Sequence, residues 1–129
     1  MKRVALLCFF LVLLLLVTGC ARIRIPKGEL AVLTYDPPVL GDSLRVVETL
    51  TAEESAAVRR ILMDAKHTDG ADGALFTKAV SLSFGERVFA VAYEGGEAVW
   101  DVQNEQYYAV DKADWADLLA LFERYGIIL

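Results

Sequence analysis

A short positive start followed by an unbroken apolar run limits what the first part of this chain can become. Lys2 and Arg3 precede residues 4–17, which are 14 successive apolar residues. A helix needs roughly 20 such residues to cross about 30 Å of hydrocarbon, so this run is short for a permanent span. Charged and apolar regions in this order are typical of a signal peptide that is removed after export. An uncleaved N-terminal anchor and an ordinary secretory signal cleaved elsewhere are the alternatives.

The residues that end the apolar run carry a more specific signal. The stretch Val17-Thr18-Gly19-Cys20 resembles the lipobox of bacterial lipoproteins. The resemblance implies that signal peptidase recognises Val17, Thr18 and Gly19 and removes residues 1–19. Cys20 would then become the first mature residue and carry a diacylglyceryl lipid. The implied location is extracytoplasmic, on the cell membrane or the outer membrane. The residue after the cysteine is Ala21 and not Asp, and by resemblance to lipoprotein sorting this permits outer-membrane delivery in a cell with two membranes.

Cysteine usage and charge restrict the chemistry of the remaining 110 residues, a length typical of one domain. The chain has two cysteines: Cys8 lies in the signal and Cys20 would be lipidated, so no thiol remains for a disulfide, redox centre or thiolate metal site. Loss of Lys2 and Arg3 leaves 11 of the 13 basic residues beside all 18 acidic ones, a formal charge of −7. This acidity disfavours nucleic acid as a partner.

Residues 20–29 are predicted to form the lipidated N-terminus and a short tether, because Pro26 and Gly28 discourage regular structure. Arg22, Arg24 and Lys27 are close enough to Cys20 to meet anionic lipid headgroups, each contributing about 1 kcal/mol. A solvated linker is the alternative interpretation. Residues 30–129 would then form a single globular domain.

The periodicity of the domain predicts an α+β fold. Thr51 and Glu54 form a capping box that begins an amphipathic helix ending near residue 66. Period-two alternation with short turns predicts a four-stranded antiparallel meander within residues 75–110, either alone or extended by two N-terminal strands at residues 30–35 and 43–50. Asp111 and Gly126 bound a second amphipathic helix. We expect both helices to pack on one face of the sheet.

A sheet register follows from placing bulky side chains towards the helices. The residues predicted on that face are Val80, Leu82, Phe84, Phe89, Val91, Tyr93, Ala98, Trp100 and Val102. The other face would carry the small or polar residues Ser81, Ser83, Ala90, Ala92 and Asp101. Either the N-terminal strands cover this small face, with Leu33 or Val46, or a protein partner does; sequence-local packing favours the strands.

Few side chains suggest chemistry. His67 is the only histidine, which leaves a His-based relay or zinc site without a second imidazole, and the Asp and Gly residues at 69–73 are those that turns select. Asp101, with Tyr107 and Tyr108, is a candidate binding surface, although tyrosine is also a good strand former. No catalytic residue, cofactor or metal site is predicted.

The residues from Thr51 to Gly126 resemble small uncharacterised envelope lipoproteins built as helix, strand meander and helix. Together with the lipobox, this predicts a membrane-anchored envelope lipoprotein that is a non-enzymatic, protein-binding or accessory domain with an envelope protein as partner. The alternative is a small-ligand-binding or hydrolytic envelope domain that uses Asp101 and the nearby tyrosines.

Overall fold

One antiparallel sheet organises the fold. A computed structural model of the chain describes Val4, Cys8 and residues 22–35, 46–68, 80–91 and 96–127. Within these residues the elements are β1 Val32–Tyr35, β2 Val46–Thr49, α1 Ala52–Asp64, β3 Lys66–Thr68, β4 Ser81–Phe84, β5 Arg87–Val91, β6 Ala98–Asp101, β7 Gln106–Ala109 and α2 Lys112–Arg124. The strands form a seven-stranded sheet in the order β2-β1-β4-β5-β6-β7-β3. The predicted α+β class is therefore confirmed.

The strand number differs from the predicted four-stranded meander. Strands β4 to β7 do form a meander of sequential antiparallel neighbours at the centre of the sheet. The two N-terminal strands extend it on one side, through pairing of β1 with β4. On the other side β3 pairs with β7. The sequence interpretation missed β3 because Lys66, His67 and Thr68 are a short polar segment, as many edge strands are.

Both helices begin where their caps were predicted. Thr51 Oγ1 accepts from the backbone N–H of Glu54 at 3.1 Å, and Glu54 Oε1 accepts from the N–H of Thr51 at 3.1 Å, which completes the capping box of α1. Asp111 caps α2, and Gly126 follows it with a φ of 79°. The N–H of Ile127 donates to the carbonyl of Phe122 at 3.0 Å, so α2 ends in a Schellman motif.

The buried residues of both helices and of one sheet face form a single core. From α1 and α2 this core receives Val58, Ile61, Leu62, Trp115, Leu118, Leu121 and Phe122. From the sheet it receives Leu33, Leu82, Phe84, Phe89, Val91, Val99 and Tyr108. The two helices therefore share one face of the sheet, as the amphipathic patterns predict.

The predicted face assignment of β6 is wrong by one residue. Phe89 pairs with Asp101, and Val91 pairs with Val99, so Val99 and Asp101 face the helices. Because side chains alternate along a strand, this register places Trp100 on the opposite face. Tyr93 and Ala92, also part of the predicted register, lie outside the described residues.

Two interactions explain the register of β6. Asp101 is fully buried and forms an ion pair with Arg87 at the start of β5, which a one-residue shift would break. On the opposite face Trp100 packs against Tyr107, with 4.3 Å between ring centroids. Residue size alone predicted the reverse, because Trp100 is larger than Val99.

The small face of the sheet is not covered by the N-terminal strands. Ser81, Ser83 and Ala90 lie on the face opposite the helices, as predicted. Strand β1, however, joins the sheet edge to edge beside β4, and Leu33 is fully buried on the helix-covered face. The N-terminal strands therefore enlarge the sheet and do not form a second layer over it.

Residues 22–29 differ from the expected tether. They form no helix or strand, and Gly28 has a φ of 89°, which fits the expected irregular backbone. However, Ile23 and Ile25 are only 1% and 2% exposed and belong to the core. We call residues 22–29 the docked segment, because they are packed on the domain that follows them.

The burial of the docked segment gives a stability prediction. Ile23→Ala and Ile25→Ala should each lower the free energy of unfolding by about 2–4 kcal/mol, because each leaves a cavity in a packed core. Leu30→Ala is the matched control, since Leu30 is 47% exposed and its substitution should cost far less. Urea unfolding of the three variants measures the difference. Equal stabilities would contradict the docking of this segment.

Candidate functional site

Asp101, the main polar candidate from the sequence, lies in the interior. Its side chain is 0% exposed, and Arg87 Nη2 donates to Oδ2 at 2.8 Å. Asn104, in the turn after β6, donates to the same oxygen through Nδ2 at 2.9 Å and to Oδ1 through its backbone N–H at 3.4 Å. Both carboxylate oxygens are thus engaged by the protein itself. The carboxylate holds β5, β6 and the following turn together and is closed to a ligand.

Arg87 extends this network to the docked segment. Its Nη1 donates to the backbone carbonyl of Arg24 at 2.5 Å, while Nη2 bonds Asp101. The guanidinium also lies 5.1 Å from the ring centroid of Phe89, a cation–π contact. A single side chain therefore connects the buried acid, the core and the chain that follows residue 20.

The structure does not bring the predicted binding surface together. Tyr108 is 6% exposed and faces the core, where burial and the negative charge of Asp101 raise its pKa. Tyr107 lies on the opposite face, against Trp100. Asp101 and the two tyrosines therefore do not share an accessible surface.

His67 lies on β3, the short strand that follows the end of α1. Its ring packs edge-on against Tyr108, with 5.8 Å between centroids, and its Nε2 hydrogen-bonds Gln106 Oε1. Both partners belong to β7, so these contacts support the pairing of the two strands. Among the described residues, no three His, Cys, Asp or Glu side chains are placed to hold a metal ion. The loop at residues 69–73 lies outside the described residues.

The docked segment presents the basic residues that the sequence associates with headgroups. Arg22, Arg24 and Lys27 are exposed. Ile23 and Ile25 alternate with the first two and point into the core. Its backbone is held from α1 as well, because Arg59 Nε donates to the carbonyl of Ile25 at 2.7 Å. The position of these cations is therefore fixed by packing and by two arginine hydrogen bonds.

The helices meet in a cleft of about 430 Å³ with a charged rim. Glu54 accepts a hydrogen bond from the Tyr125 hydroxyl at 2.6 Å, and Arg124 lies 3.9 Å from the same carboxylate. The Tyr125 hydrogen bond is the largest of the effects that lower the pKa of Glu54. In turn, Glu54 raises the pKa of Tyr125. This cluster fastens the start of α1 to the end of α2.

Sequence reasoning missed Arg87 and Arg59, the two residues that hold the docked segment. A signal for the first was present: Arg87 is the only Lys or Arg between residues 80 and 110. Asp101 is flanked by apolar residues in a predicted strand, and a buried carboxylate needs a positively charged partner. Arg87 is the only candidate in that stretch of the sequence. Arg59 bonds a backbone carbonyl 34 positions away, and no sequence pattern identifies such a contact.

Comparison with known proteins does not assign the chain to a family. No protein-family model, no curated protein and no solved structure matches it. Within the part of the chain that the structure describes, no helix is both long and apolar enough to cross a membrane. The lipobox residues Val17, Thr18, Gly19 and Cys20 lie outside the described residues.

Removing one partner of the buried Asp101–Arg87 pair should destabilise the fold far more than removing one partner of an exposed pair. Asp101→Asn leaves the Arg87 guanidinium without its carboxylate and should cost about 3 kcal/mol in the free energy of unfolding. Asp64→Asn is the matched control, because Asp64 pairs with Arg60 at 3.2 Å on the surface and exposed pairs contribute at most about 1 kcal/mol. Urea titrations compare the two. Equal losses would show that the buried pair has no special role.

Glu54 should contribute to the acid sensitivity of the fold. Its pKa is lower in the folded protein than the ordinary value, so the ionised carboxylate stabilises the fold above the unfolded pKa. That contribution is lost as the pH falls through the folded pKa. Glu54→Gln keeps a capping acceptor but removes the titration, so its stability should change less between pH 6 and pH 3 than that of the parent. Glu53→Gln, at an exposed neighbour, should retain the parental dependence in the same chemical unfolding series.

Proposed function

We propose that this chain is a lipid-anchored protein of the bacterial cell envelope, and that its domain is a non-enzymatic, protein-binding or accessory module. The observation that carries the anchor is the lipobox-like sequence Val17-Thr18-Gly19-Cys20, and the docked segment begins two positions after it. Arg22 is exposed at the start of the described domain, two positions after the lipobox cysteine. An acylated Cys20 would therefore attach the bilayer directly to a folded surface.

Chain length supports a position close to the membrane. Three peptide steps separate Cys20 from Ile23, which is part of the core. Successive Cα atoms are 3.8 Å apart, so the core begins within about 11 Å of the acylated residue. Stable attachment requires the two-chain lipid that lipoproteins carry, because a single acyl chain gives marginal binding.

The internal roles of the polar candidates support binding over catalysis. Asp101 is enclosed by Arg87 and Asn104, and His67 is bonded to Gln106. Each of these groups has a structural explanation within the domain. The partner we propose is an envelope protein at the same membrane.

The anchor is tested by the two cysteines of the chain. Cys20→Ser should abolish incorporation of labelled fatty acid and leave the precursor unprocessed, because serine lacks the sulfur that accepts the diacylglyceryl group. Cys8→Ser is the matched control and should be processed and labelled normally, since Cys8 lies inside the signal. Electrophoresis and mass spectrometry of the N-terminal peptide measure both. Normal labelling of the Cys20 variant would contradict the proposal.

The binding role is tested separately, in membranes. Crosslinking of the intact lipoprotein, followed by purification and mass spectrometry, should recover a defined envelope protein. A hydrolase or transferase activity that a single polar substitution abolishes would instead establish an enzyme.

A further inference from the structure

We infer that the docked segment is a membrane-contacting surface, in which the exposed residues Arg22, Arg24 and Lys27 face an anionic lipid bilayer. This inference rests on the proposed function, because it requires lipid on Cys20. It goes beyond anchoring: the lipid fixes where the domain is, and these cations determine which way it faces.

The direction of the cations is set by packing. Ile23 and Ile25 are buried on the domain side of the segment, so the exposed Arg22 and Arg24 project from the other side. Arg59 and Arg87 bind the carbonyls of Ile25 and Arg24, which keeps the segment from rotating. In a free tether the side chains of Arg22 and Arg24 would have no fixed direction relative to the domain. Because the segment is docked, their direction is fixed.

The cations of this surface are not paired with carboxylates of the described domain. Arg60, Arg87 and Arg124 each lie within 4.0 Å of a carboxylate. None of the three cations of the proposed surface forms an ion pair with another described residue. Their charges therefore remain available to anionic headgroups, which attract each nearby Lys or Arg by an amount equivalent to about a fivefold change in binding.

A local surface is needed because the domain as a whole is acidic. With a mature formal charge of −7, most approaches to an anionic bilayer are repulsive. Glu29 ends the docked segment and opposes the cations, with its carboxylate near the turn at Gly85. Removing this charge should therefore strengthen the contact, which supplies a test of opposite sign.

The experiment uses the purified mature lipoprotein, with lipid on Cys20 verified by mass spectrometry, reconstituted into vesicles. A fluorophore on Leu30→Cys, beside the docked segment, reports energy transfer to an acceptor on the lipid headgroups. A second label on Ala109→Cys reports the opposite end of the strands, because β1 and β7 run in the same direction. Transfer is compared between phosphatidylcholine vesicles and vesicles that contain phosphatidylglycerol.

We expect phosphatidylglycerol to increase transfer at the Leu30 site and not at the Ala109 site. The increase should disappear at about 1 M salt, where the screening length is about 3 Å. Arg22→Gln with Arg24→Gln should weaken this docking about 25-fold, at fivefold per cation. The matched double variant Lys66→Gln with Lys112→Gln removes the same charge from the opposite end and should leave docking unchanged. Glu29→Gln should strengthen it.

The outcomes separate the inference from the proposal on which it rests. If Cys20 carries no lipid, the proposed function fails and this surface with it. If Cys20 is lipidated but transfer at Leu30 is the same in both vesicle types, the inference alone is overturned. Equal weakening by the two double variants would also overturn it, because the effect would then reflect net charge and not this surface.

Discussion

The buried ion pair between Asp101 and Arg87 is the interaction on which the rest of the structure depends. A buried carboxylate is costly unless donors surround it, and Asp101 meets this requirement with Arg87 and Asn104. The pair aligns β5 with β6, and the remaining Arg87 donor holds the docked segment through the carbonyl of Arg24. The pair therefore supports the register of β6 on β5, and its arginine helps to hold the docked segment in place.

The helices could be predicted because their signals are local. Thr51 with Glu54, and Asp111 with Gly126, mark helix ends within a few residues, and a wide apolar stripe tolerates small errors. The register of β6 is harder to predict, because it depends on the length of the connection before the strand. An error of one residue in that length moves every side chain of β6 to the other face of the sheet. Side-chain size alone predicts that Trp100 faces the helices. In the structure Asp101 faces them instead, where it pairs with Arg87.

The docked segment shows the same limit at the start of the domain. Pro26 and Gly28 correctly indicate irregular backbone, but irregular structure is not the same as loose structure. The alternation of Arg22, Ile23, Arg24 and Ile25 has the period of an extended chain with one apolar side, which is a signal for burial. The sequence could not show which core residues Ile23 and Ile25 contact. It also could not show that Arg59 and Arg87 bind the backbone carbonyls of this segment.

Orientation of the docked segment also determines which surfaces an envelope partner can reach. If the segment faces the bilayer, the ends of β7 and α1 and the start of α2 face away from it, because β7 runs parallel to β1 and α1 runs into β3. A cleft at that end is lined by Arg60, Asp64, Lys66, Asp111 and Asp114, so it offers charges of both signs. A partner embedded in the same membrane would instead meet the sides of the domain. The direction in which the cations face thus distinguishes a partner that binds the membrane-distal cleft from a partner in the membrane that binds the sides of the domain. The lipid anchor alone does not distinguish them.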